Sequence, residues 1–189
     1  MRTPTLLLGD EERVYDGHHV TLSRLSFTNR ATGQSGVWEI LRRKEASGNI
    51  VGILGVTPKL EAIVVRVYRI PLKNYVLQPC YGGLEPGELE QDGALRELAE
   101  ETGYKAARAR RLFAGPFAQA RTDEQIAMYV GPNAQLVRKQ KLDDAEDIEV
   151  LLMPLRNAPE QLRSLEALGQ LVDIKLWSAV YAARDLLNA

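Results

Sequence analysis

The sequence has a single cysteine, Cys80, so no disulfide can form within the chain, and this usage fits a reducing compartment. It has no apolar run approaching the roughly 20 residues needed to span a bilayer. The first residues, MRTPTLLLGDEER, hold too short an apolar core for a secretory signal. These absences together point to a cytoplasmic protein with no membrane partner. Charge of either sign is not in excess. Lys and Arg number 24 against 25 Asp and Glu, a net charge of −1, which leaves no electrostatic footprint for nucleic acid. The two histidines, His18 and His19, stand side by side in a strand-like stretch and take no ligand role. Internal repeats, coiled-coil heptads and low-complexity tracts are absent as well. What remains is ordinary globular composition over 189 residues, enough for one domain with a small appendage and a real core.

The informative stretch runs from Gly82 to Tyr104, GGLEPGELEQDGALRELAEETGY. The pattern predicts a helix from Glu90 to Thr102. Glu90 and Asp92 fall in its first turn, where negative charge meets the positive end of the helix dipole. Gly103 is placed to end it in a left-handed conformation. Glu97, Glu100 and Glu101 are spaced i, i+3, i+4, which sets three carboxylates on one helical face. Like charges so placed repel unless something neutralises them. A hard divalent cation does so, since Mg²⁺ takes oxygen ligands from one or two carboxylates plus substrate phosphates. Gly82 and Gly83 let backbone approach a metal or a phosphate closely. Three glutamates alone would fit a solvated helix face better. The surrounding spacing decides the matter.

That spacing reads Gly82, five residues, Glu88, seven residues, Arg96-Glu97-Leu98, one residue, Glu100-Glu101, one residue, Gly103-Tyr104. It resembles the Nudix box at every specified position, with Tyr104 a loose fit to the last apolar one. With each fixed residue occurring at roughly 5–10% by composition, a chance match is below about one in a million.

Around the box, strands are predicted at His18–Thr28 and Val37–Lys44, joined by a turn at ATGQSG, and at Asn49–Val56, Glu61–Tyr68 and Asn74–Tyr81. Further strands are predicted at Ala107–Phe113, Gln125–Val130 and Ile148–Met153. A long polar loop fills Gly131–Asp147. Helices are predicted at Pro159–Leu168 and Ile174–Leu187, the last with Asp173 as N-cap. This order gives an α+β fold. It agrees with what the resemblance implies, an α/β/α sandwich with a mixed sheet between helices. The expected division is an N-terminal antiparallel β segment over residues 1–48 and a catalytic domain over 49–189.

Beyond the box the sequence resembles the ADP-ribose and nucleoside-diphosphate-sugar pyrophosphatase branch of the Nudix family. The matching positions are Trp38-Glu39, Val67-Tyr68-Arg69-Ile70-Pro71 and Glu146-Asp147-Ile148-Glu149-Val150. The resemblance implies Mg²⁺-dependent hydrolysis of a nucleotide pyrophosphate bond, with Mn²⁺ as an alternative ion. It implies a homodimer whose N-terminal segments bind the base. It makes Glu97 and Glu101 metal ligands, with Glu100 assisting and the Tyr81 carbonyl as a further ligand. Arg96 would hold the box carboxylates, and Glu146 would act on the attacking water or bind a metal, with Asp144 in reserve. Trp38 would stack on the base, Glu39 and Arg43 would flank it, and Arg69 would meet the phosphates. Other readings are a different nucleotide sugar such as GDP-mannose, or a nucleotide-binding regulator without catalysis. The box has lost none of its glutamates, which speaks against the last. Two departures bear on the substrate. Gln78 and Tyr81 stand where the branch usually has glutamate and alanine, and Ala118-Gln119-Ala120-Arg121 lacks the proline usual about 15 residues past the box.

Overall fold

Two apolar, β-branched stretches carry the core, β4 (Asn49–Val56) and β5 (Glu61–Arg69), which pair antiparallel. Their side chains alternate between two opposite layers, as a strand buried on both faces requires. Leu54, Val56, Ala62 and Val64 join a cluster on one side, while Val51, Ile53, Ile63, Val65 and Val67 join another on the opposite side. The first cluster is closed by α2 (Ala158–Ala167) through Leu162 and by α3 (Ile174–Leu187) through Leu176, Ala179, Val180 and Ala183. Those four α3 positions follow helical spacing and form one apolar stripe. The second cluster is closed by α1 (Glu90–Thr102) through Ala94 and Leu98. Leu98 is fully buried, so truncating it to alanine should cost about 2–5 kcal/mol. The result is the expected α/β/α arrangement around a mixed sheet.

The computed structural model describes residues 3–44 and 49–189. They divide into two units. One holds the described residues before Asn49 together with Pro116–Gln125, and the other holds Asn49–Gly115 with Ile126–Ala189. The expected boundary after Gly48 falls at residues 45–48, outside the described residues.

The larger unit's sheet runs β13 (Leu171–Val172), β6 (Asn74–Gln78), β5, β4, β10 (Gln125–Pro132), β9 (Arg110–Pro116). Strand β12 (Ile148–Pro154) lies antiparallel along β5, and β13 is parallel to β6. The stretch predicted as one strand over Asn74–Tyr81 is two. Pro79 has no N–H to give a ladder, and there the chain leaves β5 and continues as β7 (Cys80–Gly83) against β4. This switch delivers the chain to the start of α1. Within the polar loop a short β11 (Gln135–Leu136) pairs with β8 (Tyr104–Lys105).

The smaller unit is an antiparallel sheet of β1 (Leu6–Asp16), β2 (Val20–Asn29) and β3 (Ser35–Arg43), in that order. Strand β1 was not expected. Its GDEER centre breaks apolar alternation, and its register shifts at the Leu8–Glu11 step, so the period-2 signal is lost. The segment after β9 adds to this unit. Leu41 N–H donates to the Arg121 carbonyl at 2.8 Å, and Arg43 Nε donates to Glu124 Oε1 at 2.8 Å.

Candidate active site

The ends of α1 stand where the sequence places them. Gly103 has φ 77°, and its N–H donates to the Ala99 carbonyl at 3.1 Å. A Cβ there would also sit 2.1 Å from the Arg138 carbonyl oxygen, so glycine is required twice over. The last carbonyls of the helix are taken by the loop that follows β11. Gln140 Nε2 donates to the Glu101 carbonyl at 2.6 Å, and Lys141 N–H donates to the Glu100 carbonyl at 2.9 Å. These bonds satisfy groups that would otherwise be orphaned, and they tie the helix to the start of the acidic loop.

Arg96 is the hub of the box. Its Nε donates to Glu88 Oε1 and its Nη2 to Glu88 Oε2, both at 2.9 Å, a two-pronged pair. Its Nη1 reaches Glu97 Oε1 at 2.6 Å and Glu100 Oε2 at 3.1 Å, and its Nη2 reaches the Gly83 carbonyl at 3.0 Å. Glu88 is thereby held below the usual carboxylate range by Arg96, and it accepts the Glu85 N–H as well. The helix face and the incoming loop are therefore fastened through one guanidinium. Gly82 makes room for this, since a Cβ there would lie 1.8 Å from Glu97 Oε1.

The metal-side carboxylates are less comfortable. Burial pushes Glu97 above its ordinary value, although Arg96 pulls it back. Glu101 is 4% exposed, and its Oε2 makes no hydrogen bond. Burial pushes its carboxyl up to about 8, with Glu97 and Glu146 adding repulsion and the Cys80 thiol and Tyr81 N–H partly offsetting it. A buried carboxylate with one oxygen unbonded, beside a second that only Arg96 compensates, forms a receptor for positive charge. Among the described residues no three His, Cys, Asp or Glu side chains are gathered into a ready-made metal cage. The set fits an ion that takes few protein oxygens and completes its shell with substrate phosphates. Glu100 is the outer member, shared between Arg96 and Lys141 Nζ at 3.9 Å.

Glu146 closes an exposed turn. Its N–H donates to the Asp143 carbonyl at 3.0 Å, and its Oε2 accepts the Asp143 N–H at 2.9 Å. Its charge adds to the rise of the Glu97 and Glu101 carboxyls. Asp144 is exposed in the same turn. Arg69 Nε donates to Gln78 Oε1 at 2.8 Å, so the amide at this buried position keeps an acceptor where a carboxylate is usual. The Tyr81 ring packs where a Cβ on Gly52 would stand, and Lys175 Nζ lies 5.7 Å from its centroid. Bulk at Tyr81 is thus accommodated by glycine at 52.

Trp38, Glu39 and Arg43 lie on β3 of the smaller unit. Trp38 is half exposed and its Nε1 donates to the Ala120 carbonyl at 2.9 Å. A pocket of about 630 Å³ opens beside it, lined by Arg24, Val37, Trp38, Glu39, Ala120 and Arg121. Glu39 also faces Arg24, at 4.0 Å. The share of Ala120 and Arg121 in this pocket was not expected. They lie 82 and 83 positions from Trp38, and no local pattern signals such a contact.

The NUDIX domain family model matches residues 47–170. ADP-sugar pyrophosphatase of Mus musculus is 30% identical over 188 residues, covering 93% of this chain and 84% of its own. ADP-ribose pyrophosphatase of Bacillus subtilis (strain 168) is 29% identical over 157 residues, covering 82% of each. A crystal structure of an ADP compounds hydrolase shares the fold with a TM-score of 0.79 at 20% identity, over 100% of this chain and 97% of that one.

Proposed function

The chain belongs to the Nudix hydrolase family, and from that premise we propose that it hydrolyses the pyrophosphate bond of ADP-ribose or a related nucleoside diphosphate sugar. The products are a nucleoside monophosphate and a sugar phosphate. The observation that carries this reading is the Arg96-organised carboxylate face, with Glu101 buried and short of a partner. The names of the two pyrophosphatase relatives give the substrate class.

Glu97 and Glu101, with the Tyr81 carbonyl, are the groups that would hold a divalent cation, which we take to be Mg²⁺. Once bound, such an ion neutralises charge on the phosphates and acidifies water. The chain's own part is to fix position and accept a proton. Arg96 holds Glu97 and Glu100 in place through the same nitrogen, so both carboxylates move with the helix. Glu146 is not fastened to Arg96. We assign it the proton of the attacking water, because carboxylates engaged with a cation are poor bases. Arg69 meets the phosphates, and Trp38 stacks on the base with Glu39 and Arg43 beside it.

We also read the protein as a cytoplasmic homodimer. Leu8 is 67% exposed and Leu6 47% exposed on one face of the smaller unit, an open display for side chains whose burial is worth about 1.5–3 kcal/mol each. A second copy of the chain would cover them.

Monophosphate release from ADP-ribose, ADP-glucose, UDP-glucose and GDP-mannose with Mg²⁺ tests the proposal. ADP-ribose should be a good substrate and not the sole one, because the segment around Gln119 lacks the usual proline. Advantage for ADP-ribose above about 100-fold in kcat/KM over every other compound would reject this breadth. No turnover of any of them would reject the function.

A further inference from the structure

The turn that carries Glu146 makes its hydrogen bonds within itself. Asp143 and Glu146 bond to each other through backbone and carboxylate, and residues 143–146 are all exposed. These bonds, the Glu146 carboxylate on the Asp143 N–H among them, fix the shape of the turn, and the turn as a whole is anchored at the two ends of the loop. The leading end is tied to α1 through Gln140 and Lys141. The trailing end is Asp147, the residue directly after Glu146 and before β12 begins. Its carbonyl accepts the Tyr68 N–H at 3.0 Å. Its carboxylate Oδ2 accepts the hydroxyl of Tyr75.

Tyr75 is itself firmly placed, and strand alternation explains why. Tyr75 is paired with Tyr68 across β6 and β5, and Arg66 is paired with Glu149 across β5 and β12. Arg66, Tyr68 and Tyr75 therefore share a sheet face. The Tyr68 and Tyr75 rings meet edge to face with centroids 5.3 Å apart. The Arg66 guanidinium lies 5.2 Å from the Tyr75 centroid and pairs with Glu149 at 2.5 Å. A ring held by a neighbouring ring and a cation loses little by orienting its hydroxyl. The phenol that reaches Asp147 is thus carried by three strands of the core sheet, and the loop hangs from it.

We infer that Tyr75 and Asp147 form a clasp that fixes the trailing end of the acidic loop, and that Tyr75 is a positioning residue for the reaction, acting through Glu146. The inference rests on the reading of Glu146 as the group that takes the water's proton. In this role Tyr75 needs no contact with substrate or the reacting atoms. Its hydroxyl is one hydrogen bond away from the backbone that aims the base. Loss of that bond leaves the ring packing in place and lets the turn wander, so the cost falls on the rate and not on substrate binding.

The experiment measures kcat and KM for Tyr75→Phe, Asp147→Ala, Asp147→Asn and Glu146→Gln, and for Tyr75→Phe combined with Glu146→Gln. Tyr75→Phe and Asp147→Ala should each lower kcat about tenfold, with KM within about twofold. Asp147→Asn keeps an acceptor oxygen and should recover most of what Asp147→Ala loses. In the Glu146→Gln background Tyr75→Phe should add less than about twofold, because the two changes act through one group. If Glu146→Gln lowers kcat and Tyr75→Phe does not, the clasp is refuted and the assignment of Glu146 stands. A full tenfold loss from Tyr75→Phe in the Glu146→Gln background also refutes it, since Tyr75 would then act by another route. If Glu146→Gln itself leaves kcat unchanged, the reading of the base falls, and the clasp with it.

Discussion

Strands β4 and β5 in the larger unit and β1 in the smaller one carry similar numbers of large aliphatic side chains and treat them in opposite ways. Val51, Ile53, Leu54, Ile63 and Val64 are 0% exposed, whereas Leu6, Leu7 and Leu8 are 47%, 43% and 67% exposed. The first set builds a core that α1, α2 and α3 close from both sides. The second lies on a sheet strand exposed along its whole length. We read the contrast as a division of labour between the two units. The larger one completes itself and uses that rigidity to hold strained carboxylates. The smaller one offers apolar and aromatic surface for something else to cover, which we read as a base and a second subunit.

If this division is right, mutations in the two units should separate rate from binding. Glu146→Gln, in the larger unit, should cut kcat by about 10²–10⁴-fold, the usual worth of a general base, with KM little changed. Asp144→Asn is the companion measurement. If neither variant loses more than about tenfold at saturating Mg²⁺, the base lies outside this loop. Trp38→Ala, in the smaller unit, should do the reverse. A base–aromatic stack worth about 1–3 kcal/mol predicts KM raised roughly 5- to 150-fold with kcat nearly kept. An unchanged KM, or a monomer by light scattering of the wild type, would remove the role given to this unit.

The smallest expected effect concerns stability. The Glu101 carboxyl is pushed by burial from an ordinary 4.5 to about 8. Between those values the folded protein keeps a proton that the unfolded chain has released, so stability falls as pH rises through this window. Thermal melts in EDTA should show Tm dropping from pH 5 to pH 8 in the wild type and dropping less in Glu101→Gln, which has no proton to lose. Saturating Mg²⁺ should lift the wild type at pH 8 and leave the variant nearly unmoved. Identical pH profiles for the two proteins would show that this carboxyl is not strained.

Helix α1 was legible from Glu90 to Thr102 because both of its ends are written in residue types, acids at the start and glycine at the stop. The box positions were legible because their chemistry demands particular side chains at fixed spacing. The web that Arg96 spins among Glu88, Glu97 and Glu100 follows from that spacing once the helix and loop are formed. Strand β1 was not legible, since Asp10, Glu11 and Glu12 interrupt its apolar alternation. The break at Pro79 was passed over because Tyr75 and Val76 before it and Tyr81 after it are good strand formers. The contact of Trp38 with Ala120 joins positions far apart in the chain, and single-sequence periodicity holds nothing about such a pairing. The Tyr75–Asp147 bond was hidden for the same reason.

On the reading proposed above, the carboxylates of α1 hold a divalent cation and the protein breaks a nucleotide pyrophosphate bond with it. One measurement addresses it directly: ADP-ribose turnover by the wild-type protein with Mg²⁺, then with excess EDTA, then with Mg²⁺ restored. The expected result is AMP and ribose phosphate in equal amounts, a loss of at least about 10³-fold in EDTA, and full recovery. Turnover that persists in EDTA, or Mg²⁺-loaded protein that releases no AMP, would contradict it.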